Sequence, residues 1–563
     1  MKLFTGGTVL TMDRGRPRAD AVAIDGDRIA AVGEASAVRA AAPGAEEVDL
    51  GGACLMPGFI DAHHHFSEGA LITSGVNLHW PAVNTVGDIL ARVRERAAEI
   101  PAGEWVLAEG YDERWLVEGR APTLAELDAV CPNHPVLLVH FSYHEVVVNT
   151  RAHEKLGLRL HRFDPPGGEI ERDRRGSPTG RMIENAAAPF YMGAIRALLA
   201  RDEEGYFNHL ARYQERLFRK GVTRLYDPAV SPLIEGMLRR ATEREILRVS
   251  VLMMPCSADG MFMPPRDRLD GPRTGAGADP LRTGPLKLFM DGGLRCAMRL
   301  PLLTAAAGAI ATLRQVARQH SLAPLRLAKL TPLRLDLAAR CVRSGILFYE
   351  EDEARDLVRA AVERGMSVAI HAEGNVAIDR ALRVLPPSRA NRSVGVSPNR
   401  IEHFFFPDPD AVGRAGTLGL AVAVQPTICE WIGDQLFDVG LIGRQPFMPL
   451  RALLDAGLVV AGSSDAPVVD FDPLRGIRCA VERKTAKGRP LNDGQQVTVG
   501  EALEMYTVHA ARSGGLEEEV GTLAPGKRAD MVVLSKDPTQ WPPSDLAQVN
   551  VVRTICGGVD VYP

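Results

Sequence analysis

Short apolar strands alternate with helical patterns through the middle of this chain, and this alternation limits the folds open to it more than any other feature. Over residues 351–365 the apolar positions recur with a helical period, and Gly365 marks the end of the helix. Residues 366–370 then read as a buried strand. Helix and strand follow each other in the same way over residues 453–461. Repeated units of this kind predict an α/β fold with a parallel sheet.

The chain has 563 residues, which is longer than one typical domain of roughly 100 to 200 residues. A single α/β barrel with insertions accounts for most of this length and leaves room for a small accessory domain. Hydrophobic residues make up 46% of the chain and its mean hydropathy is -0.05, so it can bury a large core. No apolar run approaches the roughly 18 residues of a membrane span, and the first residues lack the apolar segment of a secretory signal. We therefore expect a cytoplasmic protein that does not bind membranes.

The charge balance and the cysteines argue against two further classes of protein. The 66 basic and 70 acidic residues give a net charge of -4, which is too close to neutral for a nucleic-acid-binding surface. The eight cysteines contain no C-x-x-C pair, which predicts reduced thiols rather than a disulfide framework or a zinc ribbon. The expected partner is therefore a small-molecule substrate.

Both ends of the chain contain short β-type runs separated by turn signals. These runs fall within residues 1–52 and 515–563. We predict that the two ends pair into one small β-domain beside a central unit of residues 53–514. Such pairing would bring the beginning and the end of the chain together.

The segment of about residues 297–349 fits the alternating pattern poorly. It is rich in Ala, Leu and Arg, and its runs 322–327 and 334–343 resemble amphipathic helices. We therefore predict a helical insertion. Its role stays open between a solvated surface decoration and a substrate lid or a contact in a homo-oligomer.

The strongest chemical signal is the run Pro-Gly-Phe-Ile-Asp-Ala-His-His-His, which ends at His65. Residues two apart in a strand face the same side, so His63 and His65 can point into one site and hold a metal ion. His64 then points elsewhere. The other interpretation is a cluster of structural histidines with satisfied hydrogen bonds. The position of the motif after an apolar run favours metal binding.

Three further polar residues stand where apolar runs are predicted to end as strands, namely His371, His403 and Asp465. In a barrel of parallel strands the catalytic groups lie at these ends. Singly, each has an ordinary explanation, because a lone histidine is often structural and a lone aspartate can cap a helix. Their shared position predicts that they belong to one site.

Motifs along most of the chain carry a family resemblance, and they are Pro57 to His65, Asp164 to Ile170, Lys287 to Gly293, His371 to Gly374, Arg400 to His403, Gly462 to Pro467, and Gly521 to Asp530. With these motifs the sequence resembles the amidohydrolase superfamily, and within it the amidohydrolase-3 (YtcJ-like) family. The resemblance implies a (β/α)8 TIM-like barrel with a β-sandwich formed from both termini. It implies that His63 and His65 bind a first metal ion. It further implies that His371 and His403 bind a second, and that Asp465 binds the first metal ion and transfers protons.

Lys287 lies between Leu286 and Leu288 in a strand-like run, where desolvation strongly disfavours a free ammonium. In related amidohydrolases a lysine reacts with carbon dioxide to give an anionic carbamate that bridges two cations. We therefore expect a carboxylated Lys287 among the metal ligands. The alternative is a lysine that pairs with Asp291 or with a carboxylate of the substrate.

His144 follows the apolar run of residues 135–141, at a place where the family commonly has Gly-His. Facing the substrate, it would have a catalytic role as a hydrogen-bond donor to the developing oxyanion. A structural hydrogen-bonding role is the alternative. His140 lies within the strand and is assigned to the core.

The function expected from these residues is the hydrolysis of an amide, N-acyl or related carbon-nitrogen bond, other than a peptide bond, in a small molecule. One or two divalent metal ions would activate water, with zinc as the default over manganese, iron, cobalt or nickel. A lactone or ester hydrolase and a deaminase are alternatives that use the same site. A non-catalytic binding relative is a further alternative, against which the complete ligand set argues.

Two positions depart from the family pattern. Asn375 stands after Gly374 where an aspartate is expected, and Asp227 followed by proline replaces the more usual Asp-Ala-Gly. Neither position is a predicted ligand. The departures therefore leave the metal site intact and put the orientation of the substrate in question.

Overall fold

The computed structural model describes residues 1–158, 163–293, 295–319, 333–388, 396–491 and 493–563. Its core contains two runs of parallel strands, each paired in chain order. The first run comprises Phe59–Asp61, Val222–Val230, Ser250–Pro255 and Leu281–Thr283. The second comprises Leu286–Phe289, Val368–Ala372, Arg400–His403, Ala421–Val424 and Val459–Gly462.

The two runs touch at both of their edges. Only Gly284 and a proline separate the last strand of the first run from the first strand of the second, and the N–H of Gly284 donates to Met253 at 2.6 Å. At the opposite edges the N–H of Ala62 donates to the carbonyl of Gly462 at 3.2 Å. A parallel bridge between His64 and Ala466 extends this contact.

Apolar residues predominate in several of these strands, and polar residues such as His371 and His403 stand at or near the strand ends. All residues of Val368–Ala372 and of Ala421–Val424 are buried, as expected for a parallel sheet that is covered on both faces. The helix Glu351–Glu363 buries its apolar stripe as the sequence predicts. The α/β class is therefore confirmed. Within the described residues the α-helices are Ala35–Ala41, Phe66–Ile72, Val86–Glu99, Leu124–Val130, Thr150–Lys155, Ala188–Arg201, Glu203–Phe218, Pro232–Glu243, Leu302–Gln319, Glu351–Glu363, Asn375–Val384, Ala411–Thr417, Ile428–Asp438, Leu450–Asp455, Pro473–Glu482, Val499–Met505 and Val508–Ser513.

The two ends of the chain share a sheet, which confirms that they pair. This sheet joins Thr8–Leu10, Arg18–Ala19 and Cys54–Pro57 to Met531–Leu534, Val551–Cys556 and Val559–Tyr562. Its central contact is the antiparallel pairing of Cys54–Pro57 with Met531–Leu534. A second sheet contains Lys2–Thr5, Ala21–Asp25, Arg28–Gly33 and Glu46–Asp49.

A further mixed sheet, which the sequence analysis did not predict, is formed by the part of the chain between the first and second parallel strands of the core. It contains Val76–Asn77, Val106–Tyr111, Val136–His140, Glu145–Val148, Gly168–Arg172 and Pro178–Glu184. Its first three strands pair in parallel, so their pattern looks like that of the core. The turn between Val136–His140 and Glu145–Val148 carries His144.

The segment 297–349 is only partly helical. The helix Leu302–Gln319 is present, and it is followed by residues 320–332, where the predicted run 322–327 lies outside the described residues. The predicted helix over 334–343 is wrong, because Arg334–Asp336 and Cys341–Ser344 are strands. Cys341–Ser344 pairs antiparallel with Met298–Pro301 on one side and with Arg334–Asp336 on the other. Hydrogen bonds between strands thus satisfy backbone groups that would bond within the segment in a helix.

Two expectations about the chain's environment can be compared with the structure. All eight cysteines are free thiols, as predicted. Among the described ranges, none of the helices is both long and apolar enough to span a bilayer.

Candidate metal centre

The polar residues predicted from strand ends are brought together at one edge of the parallel core. His371 and His403 lie at the ends of Val368–Ala372 and Arg400–His403. His63, His65 and Asp465 follow the first and the last strands of the core. Because the carboxyl ends of parallel strands meet at one edge, residues far apart in sequence become neighbours there.

The first group of possible metal ligands is His63, His65 and Asp465. Nε2 of His63 and Nε2 of His65 each lie 3.3 Å from Oδ1 of Asp465. His64 points away, as the strand alternation predicts, with its ring nitrogens 3.0 Å from Asp61 and from Tyr213. The three side chains of this group are close enough to hold one ion.

The second group is His371, His403 and Glu373, whose ligand atoms lie within 4.8 Å of one another. The rings of His371 and His403 have centroids 4.4 Å apart. His63 connects the groups, because its ring centroid is 4.8 Å from that of His403. Sequence reasoning missed Glu373, although it stands two residues after His371 in the quoted motif.

Buried partners fix the orientation of two of these histidines. Nδ1 of His63 contacts the carboxylate of Glu402, which is also bound by Arg400. Nδ1 of His403 lies 2.9 Å from Oε1 of Gln425. In both cases Nδ1 is occupied, which leaves Nε2 for a metal ion. Sequence reasoning missed Glu402 and Gln425, and the available signal was a polar residue inside a fully buried strand or next to its end.

Burial and neighbouring charges together set the pKa values of the candidate ligands. Burial lowers the pKa of His63, but the carboxylates of Glu402 and Asp465 raise it above its ordinary value. Burial also lowers the pKa of His65 to about 4 and that of His403 to about 3, and it holds the pKa of His371 well below the ordinary range. Burial acts to raise the pKa of Asp465, but hydrogen bonds from His63 and His65 hold it well below its ordinary value. Neutral imidazoles and an ionised carboxylate are the forms that bind divalent cations.

His403 and Asp465 also have unusual backbone conformations, with φ of 76° and 61°. Non-glycine residues in the left-handed region cost on the order of 1 to 3 kcal/mol and are found at functional sites. Both residues stand at or just after the end of a core strand, and both side chains face the same site.

Lys287 is completely buried, and its ammonium has no hydrogen-bond partner among the residues the structure describes. The alternative pairing with Asp291 is absent. The carboxylate of Asp291 instead accepts the N–H groups of Ala297, Glu373 and Gly374 at 2.8, 3.1 and 3.0 Å. Burial lowers the pKa of Lys287 to about 8.

His144 faces the same cavity from the mixed sheet. Its Nδ1 lies 2.7 Å from Oε2 of Glu184, and its ring centroid is 5.6 Å from that of His371. Because Gly292 and Gly293 have no side chains, there is room for the Glu184 carboxylate and the His144 ring. A Cβ at Gly292 would lie 2.1 Å from the Glu184 carboxylate, and one at Gly293 would lie 2.6 Å from the His144 ring.

His140 belongs to a separate buried cluster with Asp112 and Glu113. Arg114 donates to Asp112 at 2.8 Å, and Arg181 donates to Glu113 at 2.8 Å. Because protein cations already pair with these carboxylates, the cluster is an ion-pair network, which agrees with the assignment of His140 to the core.

Both departures from the family pattern have structural roles. Asp227 accepts the N–H groups of Phe66 and Ser67 at 3.0 and 3.1 Å and thereby binds the start of the helix Phe66–Ile72. The side-chain amide of Asn375 accepts from the N–H of Arg299 at 2.8 Å and donates to its carbonyl at 3.0 Å. Asn375 thus attaches the strand Met298–Pro301 to the core.

A cavity opens onto both ligand groups and is lined by His63, His65, Asp465, His371 and His403. Its wall also contains His144, Glu68 and apolar side chains such as Ile72, Met261 and Phe289.

The fold and the buried imidazole and carboxylate groups define the class of this protein as a hydrolase with candidate metal sites. The chain belongs to the amidohydrolase family, whose sequence model matches residues 46–562. Residues 21–45 match an imidazolonepropionase-like composite domain of bacteria. The resemblance to the amidohydrolase-3 (YtcJ-like) family is therefore confirmed.

Relatives match this chain over its full length. The chain is 30% identical over 568 aligned residues to N-substituted formamide deformylase of Arthrobacter pascens, covering 100% of this chain and 98% of the relative. It is 27% identical to putative amidohydrolase YtcJ of Bacillus subtilis (strain 168), covering 100% and 99%. Its fold is shared with an uncharacterized metal-dependent hydrolase from Pyrococcus horikoshii OT3, with a TM-score of 0.70, 23% identity and coverage of 96% and 99%.

The packing of Gly293 against His144 gives a testable prediction. In Gly293→Ala the new methyl group would lie 2.6 Å from the His144 ring, so we expect the ring to turn away from Glu184. A crystal structure of the variant measures this displacement. Gly413→Ala is the matched control, because its Cβ meets nothing within 4 Å, and we expect it to stabilise its helix by about 0.5 to 1 kcal/mol. A His144 ring that keeps its contact with Glu184 in Gly293→Ala contradicts the prediction.

Proposed function

We propose that this protein is a metal-dependent hydrolase that cleaves the carbon-nitrogen bond of an N-acylated amine, with N-substituted formamides as the first substrates to examine. One observation carries the proposal: histidines of both ligand groups line one cavity, and Lys287 lies buried close to both groups without a hydrogen-bond partner among the described residues. The full-length similarity to an N-substituted formamide deformylase supports the choice of substrate.

The residues present fit divalent metal ions. Nε2 of His371 is buried without a hydrogen-bond partner among the described residues, and so is Nζ of Lys287. Buried polar atoms of this kind are costly unless a ligand satisfies them. We assign His63, His65 and Asp465 to a first ion and His371 and His403 to a second. Zinc suits this imidazole and carboxylate set.

Lys287 is proposed to bridge the two sites as a carbamate. The neutral amine attacks carbon dioxide, a carbon-nitrogen bond forms and one proton is released, which leaves an anionic carboxylate on the side chain. Starting from the ammonium, one further proton leaves before this step, so the two changes together replace a buried cation by an anion close to both ligand groups. The absence of an ion pair between Lys287 and Asp291 supports the carbamate over the pairing alternative.

We further propose that the parallel strands close into a (β/α)8 barrel. If Leu281–Thr283 and Leu286–Phe289 are treated as one strand interrupted by a short break, the two runs contain eight strands. The hydrogen bond from Ala62 to Gly462 and the bridge from His64 to Ala466 support closure at the remaining edge. In such a barrel the ligands lie on the face that carries catalytic residues.

The side chains then have defined tasks in the reaction. Bound divalent ions lower the pKa of water and polarise a carbonyl group. Asp465 accepts the proton of the attacking water and delivers a proton to the leaving nitrogen. Burial lowers the pKa of His144, but neighbouring carboxylates, above all Glu184, raise it above its ordinary value, so the protonated ring donates from Nδ1 to Glu184 and from Nε2 to the oxygen of the scissile carbonyl. The apolar wall holds the organic part of the amine and excludes water.

The proton-transfer role is tested by Asp465→Asn. We expect hydrolysis of N-benzylformamide, followed as formate release, to fall at least about a hundredfold, because a positioned acid or base contributes on that scale. Metal content should be largely retained, because the amide keeps an oxygen ligand. Asp470→Asn, at an exposed aspartate, serves as the control and should retain activity. Near-normal turnover by Asp465→Asn would remove Asp465 from the mechanism.

The bridging role is tested by Lys287→Ala. Elemental analysis of wild type prepared without chelator should give about two metal ions per chain, and the variant should bind fewer. Added bicarbonate should raise the metal content of wild type and not of the variant. Lys155→Ala, at an exposed lysine, is the control and should match wild type. A metal content that is the same in Lys287→Ala and wild type contradicts the carbamate.

A further inference from the structure

Glu68 places an unpaired carboxyl group in the wall of the cavity. It lies on the helix Phe66–Ile72, which begins immediately after His65. Only 7% of Glu68 is exposed, and the residue lines the same cavity as the ligand groups. Glu68 therefore belongs to the space that a substrate enters, although the mechanism above gives it no task.

No hydrogen bond or ion pair joins this carboxyl group to another residue within the described parts of the chain. At its position in the first turn of the helix, Glu68 could accept the N–H of His65, but that N–H donates to Ala466 at 2.8 Å. The next N–H groups of the helix donate to Asp227. The start of the helix is thus satisfied without Glu68.

The electrostatic surroundings of Glu68 are negative and apolar. Burial and the neighbouring Asp227 both raise the pKa of Glu68, to about 8, and no cation among the described residues offsets them. Other parts of the cavity wall are apolar, including Ile72 and Met261. A buried carboxyl group without a donor is costly, so a cationic ligand group that donates hydrogen bonds to it gains binding energy.

We propose that Glu68 binds a cationic nitrogen group of the substrate, an ammonium or amidinium, so that the preferred substrate is an N-acylated amine with a second, charged nitrogen. The proposal rests on the proposed function for the acyl group and on Glu68 alone for the charged group. Glu68 and His65 both line the cavity, so one substrate can contact both groups.

A matched pair of substrates tests this specificity. N-(4-aminobutyl)formamide and N-pentylformamide differ by an ammonium in place of a methyl group. We expect wild type to prefer the charged substrate in kcat/KM by about tenfold or more, and Glu68→Gln to lose this preference while it still hydrolyses the neutral substrate. Ile72→Val, which changes the shape of the wall and not its charge, should keep the wild-type ratio. A ratio unchanged in Glu68→Gln, or no preference in wild type, overturns the proposal.

A binding measurement separates this proposal from the proposed function. Calorimetry compares benzamidine, a cation at neutral pH, with the neutral benzyl alcohol. Tighter binding of benzamidine by wild type, reduced about tenfold in Glu68→Gln, supports the cationic site even if no formamide is hydrolysed. Benzamidine that binds wild type no more tightly than benzyl alcohol overturns it, and this result does not depend on the folding of any variant.

Discussion

The burial of polar groups at one edge of the parallel core is the constraint on which the rest of the structure depends. Lys287 and His371 are buried without hydrogen-bond partners among the described residues, although such groups are costly in a dry interior. Around them the structure supplies neutral imidazoles and an ionised Asp465. The free Nε2 of His371 and the ionised Asp465 suit a cation, whereas the buried amine of Lys287 suits one only after the proposed carboxylation. The strands, turns and helices around this edge hold these side chains in position.

The parts of the site that sequence patterns predict are the ones set by local geometry. The spacing of His63 and His65 predicts that both turn to one side and His64 to the other, and the structure shows this arrangement although the strand itself ends at Asp61. Strand ends are likewise visible as polar residues after apolar runs, which identifies His371 and His403. These residues lie together because parallel strands end at a common edge.

What the sequence could not reveal depends on contacts between distant residues. Glu402 is 339 residues from His63, and Glu184 is 40 residues from His144, so no spacing rule connects either pair. The mixed sheet over residues 76–184 was missed because its first strands share the parallel pattern of the core. The strands at 334–336 and 341–344 were assigned to a helix. They pair with each other, and the strand at 341–344 also pairs with the distant Met298–Pro301, a tertiary contact that the local pattern does not show.

The most direct measurement of the central claim is anomalous X-ray diffraction, at the zinc absorption edge, from crystals of wild type grown with zinc and without chelator. The account predicts one peak beside His63, His65 and Asp465 and a second beside His371 and His403, each about 2.0 to 2.1 Å from the imidazole nitrogens. Crystals that diffract well and show no anomalous peak at either group would contradict the claim that these buried side chains form a metal centre.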